Sequence, residues 1–146
     1  MKPYTKDNLG KTRSIGFSIN KARNLLIAEM DLAMKELDIS SQQMGIVFAL
    51  FNGTAATPFE LSKLLGIDTG LMTRTLDKLE SKDILRRSRN LEDRRVVNLA
   101  LTAKGEGVAT RIPEIVPGVL NARLKSFSKA EFDEFRRLLD KFIDAF

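Results

Sequence analysis

The 146-residue chain contains no cysteine and no histidine. Those absences exclude disulfides, thiol redox switching, Cys/His zinc sites, histidine general-base catalysis and any Ser-His-Asp triad. No run of 18 or more apolar residues occurs and the start, Met1-Lys2-Pro3-Tyr4, is polar, so no membrane span and no signal peptide is expected and the chain reads as cytoplasmic. No internal repeat, low-complexity stretch or Pro/Gly/Ser-rich linker divides it, which makes one domain over residues 1–146 the expectation. A Gly-rich phosphate loop, a nucleophile elbow and a paired-carboxylate constellation are also lacking. The chain is therefore not expected to be an enzyme, and nothing in it calls for a cofactor or a metal.

What is present is a core-forming share of 43% hydrophobic residues and an excess of 24 Lys+Arg over 19 Asp+Glu, a net charge of +5 that favours a polyanionic partner. Ile19, Ala22, Leu26, Met30, Ala33 and Leu37 recur at steps of three and four after Ile15, the spacing of one helix face. Ser40-Ser41-Gln42-Gln43 has capping-box form and Gly53 is a stop signal, predicting a second helix over about 41–52. Thr57-Pro58-Phe59-Glu60 is another capping box, with proline where a missing N–H costs nothing. The helix it opens meets Gly66, and Asp68 caps the next within a few residues, so two short helices abut through a tight turn.

That next helix, Thr69 to about Lys82, turns Met72, Leu76 and Leu79 inward and leaves Gly70, Thr73, Arg74 and Asp77 outward. Ile84 to Arg89 and Val96 to Leu101 read as two short strands joined by the charged tip Asn90-Leu91-Glu92-Asp93-Arg94-Arg95. Thr102 caps another helix, which Pro113 and Pro117 are expected to kink or interrupt near 112–118. Ser128-Lys129-Ala130-Glu131 opens a last helix with an apolar stripe of Phe132, Phe135, Leu139, Phe142, Ile143 and Phe146. The expected fold is mainly α: a winged helix-turn-helix with a small two-stranded β-wing over about 38–105. Long helices over about 1–37 and 106–146 have apolar faces that the middle module is too small to cover, so they are expected to form a dimerisation region.

The second helix of a helix-turn-helix enters the major groove of double-stranded DNA, and the outward set Thr69, Gly70, Thr73 and Arg74 suits that task. Gly70 permits close approach, Thr73 can donate, accept or touch a thymine methyl, and Arg74 can make the bidentate contact to guanine. Lys78, one turn on, suits a phosphate. The competing reading of Arg74 is a solvated helix arginine paired with Asp77 or on the Glu80 side of the helix. It is countered by the strand pair immediately after the helix, which carries Arg86, Arg87, Arg89, Arg94 and Arg95 and makes a basic wing. Within the tip, Asp93 can tie to the arginine two residues on and hold the hairpin's shape, leaving the other arginine for a narrow minor groove. Arg94 and Arg95 share those roles in an order the residues leave open.

Glu60-Leu61-Ser62-Lys63-Leu64-Leu65-Gly66-Ile67-Asp68, then Leu71-Met72-Thr73-Arg74-Thr75-Leu76-Asp77-Lys78-Leu79-Glu80, then Glu92-Asp93-Arg94-Arg95 and Leu101-Thr102-Ala103-Lys104-Gly105, together resemble the MarR family of winged-helix regulators over essentially the whole chain. The resemblance implies a two-fold symmetric homodimer built from the N- and C-terminal helices. It also implies binding to a pseudo-palindromic operator, and usually repression of nearby genes. Asp83 departs from the glycine common in that family; aspartate tolerates a left-handed turn, so the fold is expected to survive. The resemblance further implies a pocket for a small aromatic effector, for which Arg13, Arg23, Met44 and Phe48 are the candidates, Met44 and Phe48 having core packing as their competing role. A winged-helix module for protein assembly, without specific DNA binding, is the alternative function.

Overall fold

The computed structural model describes residues 1–10 and 14–145, which form six α-helices and one two-stranded antiparallel sheet. Helix α1 spans Ile15–Met34, opened by Ser14, whose hydroxyl accepts from Phe17 N. A single 3-10 turn, Lys35–Leu37, comes next and ends at Asp38, whose φ of 53° is left-handed. Helix α2, Ser41–Phe51, starts on the capping box formed by Ser40 and Gln43. Asp31 of α1 accepts from the Ser41 N–H at 2.7 Å, so the first helix also satisfies a donor at the second one's exposed end.

Helix α3, Pro58–Leu65, opens on the box of Thr57 and Glu60 and ends at Gly66, whose φ of 64° is the left-handed conformation that glycine adopts without steric cost. Asp68 caps helix α4, Thr69–Ser81, accepting from Leu71 N at 2.9 Å. Strands β1, Leu85–Arg89, and β2, Val97–Leu101, pair antiparallel with Leu85 opposite Leu101, Arg87 opposite Leu99 and Arg89 opposite Val97. Helix α5 is Ala103–Leu124 and helix α6 is Lys129–Ile143.

Met34, Ile46, Val47, Leu61, Met72, Leu76, Leu79, Ile84, Leu85 and Ile112 make one core in which α2 sits between α1, α5 and the helix-turn-helix. The wing is anchored to it twice. Leu99 N donates to Ala56 O at 2.8 Å, and the Thr102 hydroxyl donates to Asp83 O at 2.6 Å while accepting from Gly105 N at 3.0 Å. Gly105 is required there by space: a Cβ would lie 2.0 Å from the Ile84 carbonyl oxygen. Asp83 does adopt a left-handed turn, with φ of 58°.

Of the expected kink or interruption, the interruption does not occur: α5 is helical from Ala103 to Leu124 with Pro113 and Pro117 inside. Both are exposed, whereas Ala109 and Ile112 are buried and Ile115, Val116 and Val119 pack on the core, so the packed face carries the helix past two missing backbone bonds. No residue of α6 is buried, and Phe135 and Phe142 are 50% and 55% exposed. Phe146 of the expected stripe lies outside the described residues. No helix among the described residues is long and apolar enough to cross a membrane.

Candidate nucleic-acid interface

The N-terminal half of α4 is a free surface. Met72, Thr75, Leu76 and Leu79 face inward, while Thr69, Gly70, Thr73, Arg74 and Lys78 are exposed on the other side. Thr73 Oγ1 donates to Thr69 O at 2.9 Å, which leaves its lone pairs and methyl group facing solvent. The guanidinium of Arg74 lies back over the start of the helix, its Nη1 3.8 Å from where a Cβ on Gly70 would stand. That Cβ would also stand 3.3 Å from the capping carboxylate of Asp68, so glycine at this position relieves the cap as well as slimming the surface. On the inner face, Thr75 donates to Leu71 O at 2.8 Å and meets Gln42 Oε1 of α2 at 3.0 Å. This buried polar tie between helices escapes sequence reading because a threonine and a glutamine 33 residues apart carry no local pattern.

Arg74 does not pair with Asp77. That carboxylate is taken by Arg87 of β1, whose Nη2 stands 2.7 Å from Asp77 Oδ1, while Nη1 lies 3.5 Å from Glu80 Oε1. Among the described residues Arg74, Lys78, Arg86, Arg89, Arg94 and Arg95 make no ion pair. Six cationic groups on α4 and the wing are thus unneutralised among the described residues. Arg87 is the exception in the wing's basic set: by the alternation along β1 it shares the face of buried Leu85 and lies against α4, whereas Arg89, on the same face but nearer the tip, is exposed. The same alternation sends Arg86 to the opposite face from Arg89.

The wing tip is built from backbone turns. Asn90 Oδ1 accepts from Glu92 N at 2.9 Å and Asp93 N at 3.2 Å, and Asp93 Oδ1 accepts from Arg95 N at 3.0 Å. Asp93 is therefore tied to the residue two positions on through its main chain and not through its guanidinium, and the side chains of both Arg94 and Arg95 project freely. Asn90 is a wing-holding residue that charge patterning overlooks; an asparagine at a strand end, able to turn the next two amides, was the available signal.

A cleft of about 470 Å³ lies between α1, the start of α2 and the end of α3, lined by Arg23, Ile27, Asp31, Ser40, Ser41, Gln42, Gly45, Leu65 and Ile67. Of the expected effector contacts only Arg23 is among its lining residues. Met44 packs on the core and Phe48 is partly exposed, while the α2 residues that reach the cleft are Ser41, Gln42 and Gly45. Arg13 lies outside the described residues.

A profile of the MarR family matches residues 39–97, the span from the start of α2 into β2. The multiple antibiotic resistance protein MarR of Escherichia coli is 30% identical over 124 residues, covering 84% of each chain. The chain belongs to the MarR family. The HTH-type transcriptional regulator MgrA of Staphylococcus aureus is 29% identical over 112 residues, 77% of this chain and 75% of that one. Among solved structures, a cysteine-to-serine mutant of E. coli MarR complexed with operator DNA superposes with a TM-score of 0.83 at 26% identity, over 95% of this chain and 99% of that one. MarR-family proteins are transcriptional regulators and not enzymes, and the six-helix winged fold is theirs.

Proposed function

We propose that the chain is a homodimeric repressor that binds a pseudo-palindromic operator in double-stranded DNA and controls nearby genes. The observation that carries this reading is the row of cationic side chains left unpaired on α4 and the wing, in a protein whose exposed arginines Arg111, Arg123 and Arg137 each hold a carboxylate. Thr69, Gly70, Thr73 and Arg74 enter the major groove, Arg74 reading a guanine, while Lys78 meets a phosphate. Arg94 and Arg95 at the wing tip, with Arg89 behind them, meet the adjacent minor groove and its flanking phosphates. Arg86, on the other sheet face, is the least favourably placed of the candidate contacts.

The exposed apolar stripe of α6, with Phe17 and Leu32 of α1, supports a second copy of the chain as its cover. Two modules related by a two-fold axis then read half-sites about 34 Å, or ten base pairs, apart. The relation to MarR, whose mutant was solved on operator DNA, supports the same partner. Release by a small aromatic acid is assigned to the cleft at Arg23, where a guanidinium stands with Ile27, Leu65 and Ile67.

Random-sequence duplex selection at graded salt tests the proposal. Recovery of a two-fold symmetric motif, bound more weakly as salt rises, is expected; salt-sensitive retention without a motif overturns sequence reading. No retention at all would favour the protein-assembly alternative.

A further inference from the structure

Arg87 lies in the middle of the basic cluster by sequence, yet its side chain is 27% exposed and turned against α4. A guanidinium so placed loses part of its hydration and must recover it from acceptors. It finds three on one stripe of the helix: Asp77 Oδ1 at 2.7 Å, Glu80 Oε1 at 3.5 Å and the Thr73 carbonyl oxygen at 3.5 Å. Positions 73, 77 and 80 succeed one another at four and three, so one planar fork from β1 spans two turns of the helix that carries Thr73 and Arg74. The rest of the wing is held by Leu99 N on Ala56 O, on the rung opposite Arg87, by Thr102 on Asp83 and Ile84 at its base, and by Leu85 and Leu99 in the core. Among the described residues, Arg87 is the wing side chain that makes hydrogen bonds and ion pairs to α4.

We propose that Arg87 is a positioning residue: by gripping Asp77, Glu80 and Thr73 O it sets the angle between wing and recognition helix, and it makes no contact with DNA itself. The inference rests on the reading that α4 and the wing engage one duplex. The grip has two effects. The wing-tip arginines and Arg74 are held at one mutual spacing, so they suit one spacing between adjacent grooves. Asp77 and Glu80, two carboxylates on the helix that approaches phosphates, are partly offset from within the protein by the one guanidinium, and Arg74 is spared an intrahelical partner.

The absence of cysteine from the chain allows a direct test, because spin labels attach only where cysteines are introduced. Labels at Leu91→Cys on the wing tip and Ser81→Cys at the end of α4, diluted with unlabelled chain, report the wing-to-helix distance without DNA. The parent should give a narrow distribution, Arg87→Gln a broadened one, and Arg87→Lys, which keeps charge but loses the fork, an intermediate one. Asp77→Asn should broaden it too, and combining it with Arg87→Gln should add little, since both remove the same link. Binding to the selected operator should fall about tenfold or more in Arg87→Gln, with a smaller loss on random duplex and an unchanged salt slope. An unaltered distance distribution with equal losses on every sequence and a salt slope reduced by about one would make Arg87 a phosphate contact and overturn the proposal. If Arg87→Gln fails to fold, Arg87→Lys and Asp77→Asn carry the same comparison. A parent that retains no duplex would defeat the DNA reading alone; the distance distributions would still decide whether Arg87 sets the wing.

Discussion

Arg74 and Lys78 stand one turn apart on α4, both exposed and both unpaired, but their chemistry assigns them different dependence on sequence. Arg74→Ala should cost about 1–3 kcal/mol on the selected operator and much less on random duplex, because a planar fork reads a guanine edge. Lys78→Ala should weaken binding to all sequences alike and lower the salt slope by about one. Equal losses from Arg74→Ala on both DNAs, measured by fluorescence anisotropy, would remove its base-reading role. At Gly105 the decisive quantity is space: with the Ile84 carbonyl oxygen 2.0 Å from a Cβ, backbone must move. Gly105→Ala should therefore destabilise the fold by about 1–3 kcal/mol or more in denaturant unfolding, the reverse of the usual gain from glycine to alanine within a helix.

Helix α5 is held by its packed side in spite of its own sequence. Two prolines inside it each remove a backbone donor and crowd the preceding turn, yet Ala109, Ile112 and the half-buried valines keep it continuous against α1 and α2. Pro113→Ala or Pro117→Ala should accordingly raise stability, by up to about 3 kcal/mol each, as read from the denaturant midpoint. A loss of stability would mean that the prolines serve an interface and not only the helix. The contact of α5 with α1 also carries an ion pair, in which Arg123 donates from Nε to Glu29 Oε2 at 2.9 Å and from Nη2 to Glu29 Oε1. The Arg123 hydrogen bond holds the Glu29 carboxyl below its ordinary value of 4.5. The folded state thus binds this proton less readily than the unfolded chain, so the stabilisation is present above about pH 4.5 and is lost as pH falls through the lowered value. Thermal unfolding below pH 4.5 should show a shallower acid dependence in Glu29→Gln than in the parent. Glu131 and Glu134, lowered by Ser128 and by Arg137, add to the same slope from α6.

For the molecule as a whole, the apolar residues that one chain cannot bury are concentrated on the terminal helices. Phe135, Leu139 and Phe142 form an exposed stripe on α6, and Phe17 and Leu32 are exposed on α1. The proposed second copy, in a two-fold arrangement where the same residues meet across the axis, would cover such a surface. Sedimentation equilibrium should give the mass of a dimer for the parent and of a monomer for Phe135→Glu combined with Phe142→Glu. The monomer should retain random-duplex binding through one module and lose preference for the two-fold operator. A parent that sediments as a monomer at micromolar concentration would contradict the arrangement.

Local chemistry determined most of the elements before any packing was considered. Ser40, Thr57, Asp68, Thr102 and Ser128 each cap the next helix in the chain, since a cap is decided within four residues, and Gly66 and Asp83 take the left-handed turns their neighbours demand. The inward and outward faces of α4 were legible in the same way, because a period of 3.6 needs only one helix. Tertiary structure decided what depends on partners distant in the chain. It engaged Asp77 with Arg87 and left Arg74 free, brought Thr75 to Gln42, turned Arg86 away from Arg89, and kept α5 whole through its prolines. It also placed Arg23, but not Met44 or Phe48, on the cleft between helices. A charge or a proline has the same local propensity wherever it stands; which carboxylate a guanidinium meets, and whether packing outweighs a missing hydrogen bond, is fixed only when the elements come together.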